Sequence, residues 1–373
     1  MSCAIRRAVL LLAAVGSAIV LLPSIAFARQ PFISRFTHIS TLASTVPASG
    51  PALGDQNPYG VAVVPHTTGK LVRGDVLVSN FNNAQNQQGT GSSIVEVSPS
   101  HGTSSVFAVV PQPTPTPAVG LTTALAALPD GYVIVGSLPA PGGVATAATA
   151  GALSVLNSRG HVVETISGGP INGPWDLTAV DEGNRTVLFV TNVLNGTVMA
   201  NAHSVDGGTV VRIVLRTDGS SVPTVTSERT IASGFPETTD PNALIIGPTG
   251  VGLGADGVLY VADTLGNRIA AIPNALNRNG VLRNGGLTVT SGGDLMGPLG
   301  LVIAPGGDIV TADSGDGNIV ETTPNGNQIA TRSLVPMGAG DLFGLALTPH
   351  ESGLLFVNDS GSGTAANSLQ LLH

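Results

Sequence analysis

The chain of 373 residues contains one cysteine, Cys3, and one lysine, Lys70. Cys3 lies in an apolar leader, so the rest of the chain has no cysteine for a disulfide, a thiolate nucleophile or a cysteine metal site. Only 10% of residues are charged, and 15 Lys+Arg against 23 Asp+Glu give a formal net charge of −8. This acidic balance argues against a nucleic-acid partner, because nucleic-acid binding needs a basic surface.

Aromatic residues are also scarce, at 3% of the chain, and Trp175 is the only tryptophan. No long run after the leader has apolar residues at helical spacing. By contrast, 49 glycines and 26 prolines predict frequent turns. With so few charges, the surface must consist mostly of Ser, Thr, Asn and Gly, as in many secreted all-β proteins.

The first residues, MSCAIRRAVLLLAAVGSAIVLLPSIAFARQ, combine a basic start at Arg6 and Arg7, an apolar run, and the small-residue pattern AFA at 26–28. This order is typical of a secretory signal peptide. We therefore predict a signal peptide at 1–28 and a single mature domain at 29–373. The mature protein is expected to be secreted or periplasmic, with no stable membrane insertion after cleavage.

The most regular feature of the chain is a repeat. The stretch GVLYVADTLGNRIAAIP at 257–273 returns as GDIVTADSGDGNIVETTP at 307–324. Looser copies also occur, and the units are found at 57–80, 120–137, 173–192, from Gly247, from Gly297, and at 342–359. Self-similarity of this kind indicates a repeat architecture.

Each unit has the same order of strands and turns. A short apolar strand, a Gly-rich turn, a second strand, a loop and a third strand follow one another, and a more polar fourth strand ends in Ser-Gly, as in RTIASG at 229–234. Val, Ile, Leu and Thr fill the strands, whereas Gly, Pro, Asn and Asp fill the gaps. Six such units predict an all-β, six-bladed β-propeller of four-stranded antiparallel blades, each stacked on its neighbours.

The last unit lacks a fourth strand. Residues 367–373, NSLQLLH, form its third strand, and THISTLAS at 37–44 resembles the fourth strands of the other units. We predict that this N-terminal strand completes the sixth blade and closes the ring, because closure removes an exposed sheet edge.

The units resemble NHL repeats, a six-bladed propeller repeat. The stretch YVADTLGNRIAAI at 260–272, with Asn267-Arg268-Ile269, matches the repeat well, whereas Ser137 stands where the repeat usually has Asp or Asn. The NHL family is related by fold to SMP-30/gluconolactonase-like and streptogramin-lyase-like propellers. The resemblance implies a fold, and it leaves function open between scaffolds, lyases and lactonases.

Long loops are predicted on one face of the propeller, here named the upper face. It carries the loops between the second and third strands of each blade, and the loop that precedes each first strand. These loops are short at 264–268 and 314–318 and long at 81–93, 138–152, 193–209 and 360–368. The loops at 111–120 and 235–247, before two first strands, are also long. We expect a wall over one side of a binding face, although solvated insertions would look the same.

Oxygen-bearing side chains end the second strands: Asn80, Ser137, Asn192, Asp263, Asp313 and Asp359. Carboxylate and amide oxygens are the ligands of Ca²⁺. Asn80, Asp263, Asp313 and Asp359 are therefore candidate metal ligands, and Ca²⁺ is the only cofactor that the sequence suggests. The alternative is that Asp and Asn shape turns by bonding to their own backbone.

Candidate ligand-binding residues are Trp175, Asp176, Asn192 and Asp240, with His203 and Glu237 as weaker catalytic candidates. Trp175 and Asp176 begin the first strand of the third unit, where an aromatic side chain stacks on a flat ligand or fills the core. The resemblance to lactonase-like propellers implies a Glu/Asn/Asp metal set at the starts of first strands. Those starts carry Asn57, Asn172, Asp176, Asn242 and Asp341, but no Glu stands at the expected place.

Two functions remain open. The absence of a G-x-S-x-G, HExxH or P-loop motif favours a non-enzymatic scaffold that binds a protein, peptide or glycan at the upper face. The alternative is a metal-dependent hydrolase or lyase, similar to a lactonase, with its site at the top of the central channel. Bound metal and turnover of a lactone or cyclic ester would distinguish the two.

Overall fold

The computed structural model describes residues 30–111, 119–218, 221–336, 338–360 and 366–373. The predicted signal peptide at 1–28 lies outside these residues, and so does most of the loop at 111–120. No helix in the described part is long and apolar enough to span a membrane.

The described chain folds into strands joined by short turns. The strands are β1 (Ile39–Ser44), β2 (Gln56–Val63), β3 (Val76–Asn82), β4 (Ser93–Ser98), β5 (Thr103–Val109), β6 (Leu121–Ala127), β7 (Val133–Ser137), β8 (Leu153–Leu156), β9 (Val162–Ile166), β10 (Gly173–Asp181), β11 (Arg185–Val193), β12 (Val205–Arg216), β13 (Thr224–Asp240), β14 (Leu244–Ile246), β15 (Pro248–Leu253), β16 (Leu259–Asp263), β17 (Arg268–Ile272), β18 (Leu287–Ser291), β19 (Pro298–Ile303), β20 (Ile309–Asp313), β21 (Asn318–Thr322), β22 (Gln328–Ser333), β23 (Leu342–Leu347), β24 (Leu354–Asn358) and β25 (Ser368–Leu372). Helical turns are α1 (Thr197–Ala200) and the 3₁₀ turns Ile33–Arg35, Pro141–Gly143, Ala145–Ala147, Ala275–Asn277 and Pro349–Glu351.

These strands form six antiparallel sheets, which confirms the predicted six-bladed β-propeller. Blades one to five run in chain order, as β2–β5, β6–β9, β10–β14, β15–β18 and β19–β22. The third blade has five strands instead of the expected four. The segment 235–247 is a hairpin and not a loop, because β13 continues past Gly234 to Asp240 and β14 turns back along it.

The sixth blade consists of β23, β24 and β25, and the N-terminal strand β1 completes it. Ile39 pairs with Leu372 and Ser44 pairs with Ser368 in an antiparallel register. The predicted closure by the N-terminal strand is therefore confirmed. The ladder joins the two ends of the described chain and covers the edge that β25 would otherwise leave exposed.

A short segment before β1 anchors the chain between blades five and six. Glu321 is fully buried, and its carboxylate accepts hydrogen bonds from the backbone N–H groups of Phe32 at 2.8 Å and Ile33 at 2.9 Å. The rings of Phe32 and Phe36 meet edge-on at 5.0 Å within an apolar cluster that includes Phe356. Each fully buried Phe or Ile contributes about 1.5–3 kcal/mol.

Apolar clusters of this kind fill the spaces between blades, and glycines let the first strands approach one another around the channel. A Cβ on Gly300 would lie 2.3 Å from the carbonyl oxygen of Phe343, and one on Gly344 would lie 2.2 Å from that of Tyr59. No side chain fits at such distances, which gives a packing reason for the glycine in these repeats.

The long loops of blades one, two and three touch one another on the upper face. The Ala140 N–H donates to the Gly89 carbonyl at 3.1 Å, and α1 contacts the 3₁₀ turn Ala145–Ala147. The loops between β3 and β4, β7 and β8, and β11 and β12 thus form one continuous wall. The equivalent loop of the sixth blade lies partly outside the described residues.

Candidate functional site

A cavity of about 270 Å³, here named the mouth cavity, lies at the upper end of the central channel. Its lining comes from the starts of first strands, the ends of second strands and the hairpin of blade three, because propeller first strands surround the channel. The lining residues used below are Asn57, Tyr59, Asn82, Gln88, Trp175, Asn242, Ile245, Leu299, Phe343 and Asp359.

Aromatic side chains form the floor of the mouth cavity. The Tyr59 ring stacks on Phe343, with centroids 4.3 Å apart and planes at 19°, and on Phe81 at 4.6 Å and 28°. Trp175 meets Tyr59 and Phe81 at 5.8 Å and steep angles. Because Trp175 is only 2% exposed, its ring is packed into the floor and is not an open stacking face.

The β13–β14 hairpin lies over one side of the mouth cavity and contributes Asn242 and Ile245 to its lining. The Gln88 side-chain amide, from the loop of blade one, donates to the Asn242 carbonyl. Leu244 has a φ of 62°, which is unfavourable for a bulky residue, yet its side chain is 1% exposed. Burial of Leu244 and the contact from Gln88 together hold the hairpin in place.

Four buried polar atoms at the mouth cavity have no hydrogen-bond partner among the described residues: Asn57 Oδ1, Asn82 Oδ1, Gln88 Oε1 and Trp175 Nε1. A buried polar atom without a partner costs roughly 1–3 kcal/mol. Folded proteins therefore satisfy nearly all such atoms with protein groups, water or a ligand. The four atoms at the mouth cavity together offer three acceptors and one donor to a bound molecule.

Asp359 supplies an ionisable group at the same cavity. The pKa of its carboxyl is raised to about 7, first by burial and then by the neighbouring Asp341 carboxylate, while a hydrogen bond with the Asn367 side chain opposes the rise. Burial and the Asp359 charge in turn raise the pKa of the Tyr59 hydroxyl. A carboxyl with a pKa near 7 both takes up and releases protons at neutral pH.

The oxygen atoms at the mouth cavity are of the type that Ca²⁺ prefers. Asp359 supplies a carboxylate, and Asn57, Asn82 and Gln88 supply unpartnered amide oxygens. No group of three His, Cys, Asp or Glu that could hold a metal ion occurs in the described part of the chain. The donor set therefore fits Ca²⁺ held by a single carboxylate, and it does not fit a metal bound by several imidazoles or thiolates.

The other two carboxylates predicted as metal ligands make hydrogen bonds outside the mouth cavity. Asp263 Oδ2 accepts the Arg268 guanidinium at 2.8 Å, and Asp263 Oδ1 accepts the Gly266 N–H at 3.0 Å. Asp313 Oδ2 accepts the Met296 N–H at 2.8 Å, and burial raises the pKa of Asp313 to about 7. Both side chains bond to neighbouring loop backbone, as the turn interpretation expects.

The two predicted amide residues at strand ends are also fully buried and bonded to loop backbone. The Asn80 amide donates to the Thr45 carbonyl at 2.8 Å. Asn192 Oδ1 accepts the N–H groups of Asn172 at 2.8 Å and Gly173 at 3.0 Å. Neither residue lines the mouth cavity, so these side chains fix the loops that surround it.

His203, Glu237 and Asp240 lie around the hairpin and outside the lining of the mouth cavity. His203 is exposed after α1. Glu237 is buried, its Oε1 accepts the Asn195 N–H at 2.7 Å, and burial raises its pKa to about 7. Asp240 Oδ1 accepts the Asn242 N–H at 2.7 Å and so closes the tip of the hairpin. Glu237 and Asp240 thus support the hairpin that overlies the cavity.

Asp176 lies on the other side of the aromatic floor from the mouth cavity. It lines a second cavity of about 310 Å³, here named the lower cavity, which faces the opposite end of the channel. Trp175 and Asp176 are neighbours in the chain, yet they serve different cavities, because successive strand residues point in different directions.

Several lining residues were not singled out from the sequence, namely Tyr59, Asn82, Gln88 and Phe343. One signal for two of them is the amide-rich run NNAQNQQ at 82–88, in a chain where charged residues are scarce. Tyr59 and Phe343 carry no such signal, since an aromatic residue in a first strand looks like any other core residue.

No family model matches the chain, and no curated protein does, so the NHL-repeat assignment stays a prediction. Solved structures do match its fold. They include a gluconolactonase from Xanthomonas campestris, with 16% identity, a TM-score of 0.55, and coverage of 90% of this chain and 88% of that one. A calcium-binding regucalcin from Agrobacterium tumefaciens matches with 14% identity, a TM-score of 0.55, and coverage of 90% and 93%.

A streptogramin B lyase matches with 16% identity, a TM-score of 0.50, and coverage of 90% of this chain and 97% of that one. Identities this low establish a shared fold and no shared activity. The chain is a six-bladed β-propeller whose structural neighbours include gluconolactonase-like, regucalcin-like and streptogramin-lyase proteins.

Proposed function

We propose that the protein is an enzyme, a hydrolase or lyase that opens a small oxygen-rich cyclic ester, with the mouth cavity as its active site. The observation that carries this proposal is the meeting of unpartnered amide oxygens, an unpartnered indole N–H and the Asp359 carboxyl in one cavity. Structural neighbours named as a gluconolactonase and a streptogramin lyase agree with this chemistry without deciding it.

Binding would use the polar atoms that the fold leaves without partners. The amide oxygens of Asn57, Asn82 and Gln88 accept hydrogen bonds from hydroxyl groups of the substrate. The Trp175 N–H donates to a carbonyl oxygen, and such a donor stabilises the negative charge that develops there during ester opening. The aromatic floor closes the site from below, and a volume of about 270 Å³ limits the substrate to one or two small rings.

Asp359 is the acid–base group in this proposal. With a pKa of about 7, its carboxylate is present at neutral pH and is basic enough to remove a proton. In a hydrolase it would take the proton of the attacking water, and in a lyase it would take a proton from the substrate. A positioned acid–base group of this kind contributes about 10²–10⁴-fold to the rate.

The donor set also fits Ca²⁺, which would be held by Asp359 with Asn57, Asn82 and Gln88; in that case Asp359 would be a metal ligand and not the acid–base group. When bound, Ca²⁺ would act as a Lewis acid on an ester carbonyl. Elemental analysis and melting curves with Ca²⁺ and with a chelator test this part, since a ligand that binds only the folded state raises the melting midpoint. A midpoint unaffected by either addition would remove Ca²⁺ from the proposal.

The decisive test is turnover. Wild-type protein, Asp359→Asn and the control Asp206→Asn would be assayed by pH-stat against sugar lactones and cyclic depsipeptides. Asp206 is an exposed acid of the upper face outside the cavity. We expect turnover by wild type and Asp206→Asn, and a loss of at least about 100-fold in Asp359→Asn. Saturable binding of these compounds without any turnover would contradict an enzymatic role.

A second candidate is the non-enzymatic scaffold for a protein, peptide or glycan. It is supported by exposed apolar side chains on the wall, where Met199 is 93% and Val144 is 50% exposed. A contact surface on the wall predicts that Met199→Ser abolishes capture of a partner while Asp359→Asn has no effect. Partner capture that is unaffected by Met199→Ser and lost in Asp359→Asn would place binding at the mouth cavity and favour the enzyme.

Export is part of the same proposal. A substrate outside the cytosol agrees with the predicted signal peptide at 1–28 and with a mature chain that contains no cysteine. N-terminal sequencing of the protein from a culture supernatant or periplasmic fraction is expected to begin at Arg29. A chain recovered from the cytosol with residues 1–28 intact would contradict export.

A further inference from the structure

Two side-chain amides from blade one are held at the mouth cavity by their nitrogen ends. Gln88 Nε2 donates to the Asn242 main-chain carbonyl, which can only accept, so the orientation of this amide is fixed. Asn82 Nδ2 donates to Asn86 Oδ1 at 2.8 Å. The atoms left without a partner are the oxygens, Gln88 Oε1 and Asn82 Oδ1. These two amides therefore offer acceptors to the cavity, while their nitrogens are engaged with the protein.

Asn57 adds a third oxygen of the same kind. Its neighbour Gln56 pairs with Asn82 across β2 and β3, so Asn57 and Asn82 come from adjacent strands. Asn57 is only 6% exposed and Asn82 only 2% exposed, and Asn57 Oδ1 also has no partner. Asn57 Oδ1, Asn82 Oδ1 and Gln88 Oε1 are here named the amide oxygens.

Negative charge reaches the same cavity through Asp359. Asn367 links this carboxyl to Asn57, because its side chain hydrogen-bonds to Asp359 and its Oδ1 accepts the Asn57 N–H at 2.5 Å. The nearby Asp341 carboxylate adds to the negative potential and thereby raises the pKa of Asp359. The acidic side of the cavity is therefore continuous with the side that carries the amide oxygens.

Positive charge is missing from the described lining. None of the described residues that line the mouth cavity is Lys, Arg or His. The Trp175 N–H is the one unpartnered donor among the buried side-chain atoms described there. An anion in this cavity would meet Asp359 without a counter-charge, whereas a cation would find an opposite charge.

We propose that the mouth cavity takes the ammonium group of a small cyclic amine. An ammonium group has three donors and no acceptor, which matches the three amide oxygens, and Asp359 supplies the opposite charge. A hydroxyl group has a single donor and would leave the other oxygens unsatisfied. As a statement about substrate, this inference rests on the function proposed above, whose cyclic ester would then carry an amino group; the binding itself does not.

Three unreactive rings test the binding. Purified protein, freed of divalent ions with a chelator because Ca²⁺ would bind the same oxygens, is titrated by calorimetry with cyclohexylamine, cyclohexanol and cyclohexanecarboxylate. These compounds share a ring and differ in one group, which is cationic, neutral and anionic at pH 8. We expect the amine to bind at least about ten-fold more tightly than the alcohol, because hydrogen bonds to a charged group are stronger. The carboxylate should show no saturable binding.

Two results of this titration would overturn the proposal. One is an alcohol or a carboxylate that binds as tightly as the amine. The other is an amine that shows no saturation in the millimolar range.

Variants of the two acidic residues locate the charge that the amine meets. Asp359→Asn should weaken amine binding by about ten-fold or more and leave cyclohexanol binding unchanged. Asp206→Asn, at an exposed acid outside the cavity, should change neither. Amine binding that is unaffected by Asp359→Asn would overturn the proposal.

Asn82→Asp tests the amide oxygens by a gain of charge. The variant keeps the shape of the side chain and adds a carboxylate, so the amine should bind about five- to ten-fold more tightly at pH 8 while the alcohol should not. The melting midpoint reports whether the variant is folded. Unchanged or weaker amine binding in a variant with a wild-type midpoint would place the ammonium away from blade one and overturn the proposal.

A pair of lactones separates this inference from the enzymatic function. α-Amino-γ-butyrolactone and γ-butyrolactone differ only in the amino group and would be assayed by pH-stat at pH 7. We expect kcat/KM to be at least about five-fold higher for the amino lactone. Binding of cyclohexylamine without turnover of either lactone would refute the enzymatic function and retain the ammonium site. Equal turnover of both lactones would retain the enzyme and overturn the ammonium group as its substrate determinant.

Discussion

Asp263 and Arg268 form an ion pair, with 2.8 Å between Asp263 Oδ2 and Arg268 Nε, and the Asp263 carboxylate is fully buried. These residues belong to the repeat motif, at the end of β16 and the start of β17. The guanidinium also donates to the Gly285 carbonyl at 3.0 Å. The pair thus fixes the short turn between two strands and the outer strand beside them.

Removing one partner of this pair should destabilise the fold. Asp263→Ala leaves the Arg268 charge, whose side chain is 15% exposed, without its partner. We expect a loss of about 3 kcal/mol in the free energy of unfolding, measured by urea denaturation. The control Asp206→Ala, at an exposed acid, should change it by less than about 0.5 kcal/mol. Equal effects of the two variants would contradict a structural role for the pair.

Closure of the ring should depend on Glu321. Glu321→Ala leaves the buried N–H groups of Phe32 and Ile33 without their acceptor. We expect a loss of roughly 2–3 kcal/mol and faster amide hydrogen exchange in β1, because this anchor precedes the closing strand. Glu228→Ala, at an exposed glutamate of β13, is the matched control. Unchanged exchange in β1 would show that the strand pairs independently of its anchor.

Stability should decrease as the pH rises from about 5 to 8. Burial raises the folded-state pKa of Glu237, Asp313 and Asp359 to about 7, against ordinary values of 4.5, 3.8 and 3.8. The folded state therefore binds these protons more tightly than the unfolded state. The resulting stabilisation is complete below about pH 4 and is lost as the pH rises through 7.

Asp313→Asn should remove one part of this pH dependence. The variant should match wild type near pH 3.5 and be more stable at pH 8, by on the order of 4 kcal/mol. Urea denaturation at both pH values measures the difference, with Asp206→Asn as the control. A wild-type protein that gains stability on going from pH 5 to pH 8 would contradict the raised pKa values.

The hairpin over the mouth cavity should loosen when its contact with blade one is removed. Gln88→Ala deletes the side chain that donates to the Asn242 carbonyl. We expect faster hydrogen exchange at 240–246 and weaker substrate binding, with a change in global stability of about 1 kcal/mol or less. Gln85→Ala, at an exposed residue of the same loop, should leave both unchanged. Faster exchange in both variants would assign the effect to the loop as a whole.

The blades could be predicted from sequence because the signals for them are local. The second strands of the fourth and fifth units, predicted to end at Asp263 and Asp313, end at these residues as β16 and β20. Strand-forming residues between Gly, Pro, Asn and Asp gaps mark these segments without any long-range contact. Closure by β1 could be predicted because the sixth unit lacks a fourth strand. The segment 37–44 resembles a fourth strand and belongs to no other unit.

The hairpin of blade three could not be predicted in the same way. The segment FPETTDPNALIIG contains two prolines and few strand-forming residues before Ile245, and this local pattern predicts a loop. Its strand form depends on pairing across β13 and β14 and on burial of Leu244. Tertiary packing of this kind overrides local propensity.

The sequence alone determined the repeat, the number of blades, the closing strand and the face that carries the long loops. Only the tertiary structure decided which polar residues meet. Asn57, Gln88, Trp175 and Asp359 are far apart in the chain and converge because the ring brings three blades to one channel mouth. Asp263 and Asp359 align in the sequence repeat, but Asn358 has the strand register of Asp263, and Asp359 follows the end of β24 instead of ending that strand as predicted. Arg268 neutralises Asp263, whereas Asp359 lines the cavity. The repeat pattern could not separate them, because it records strand order and not the neighbours that folding supplies.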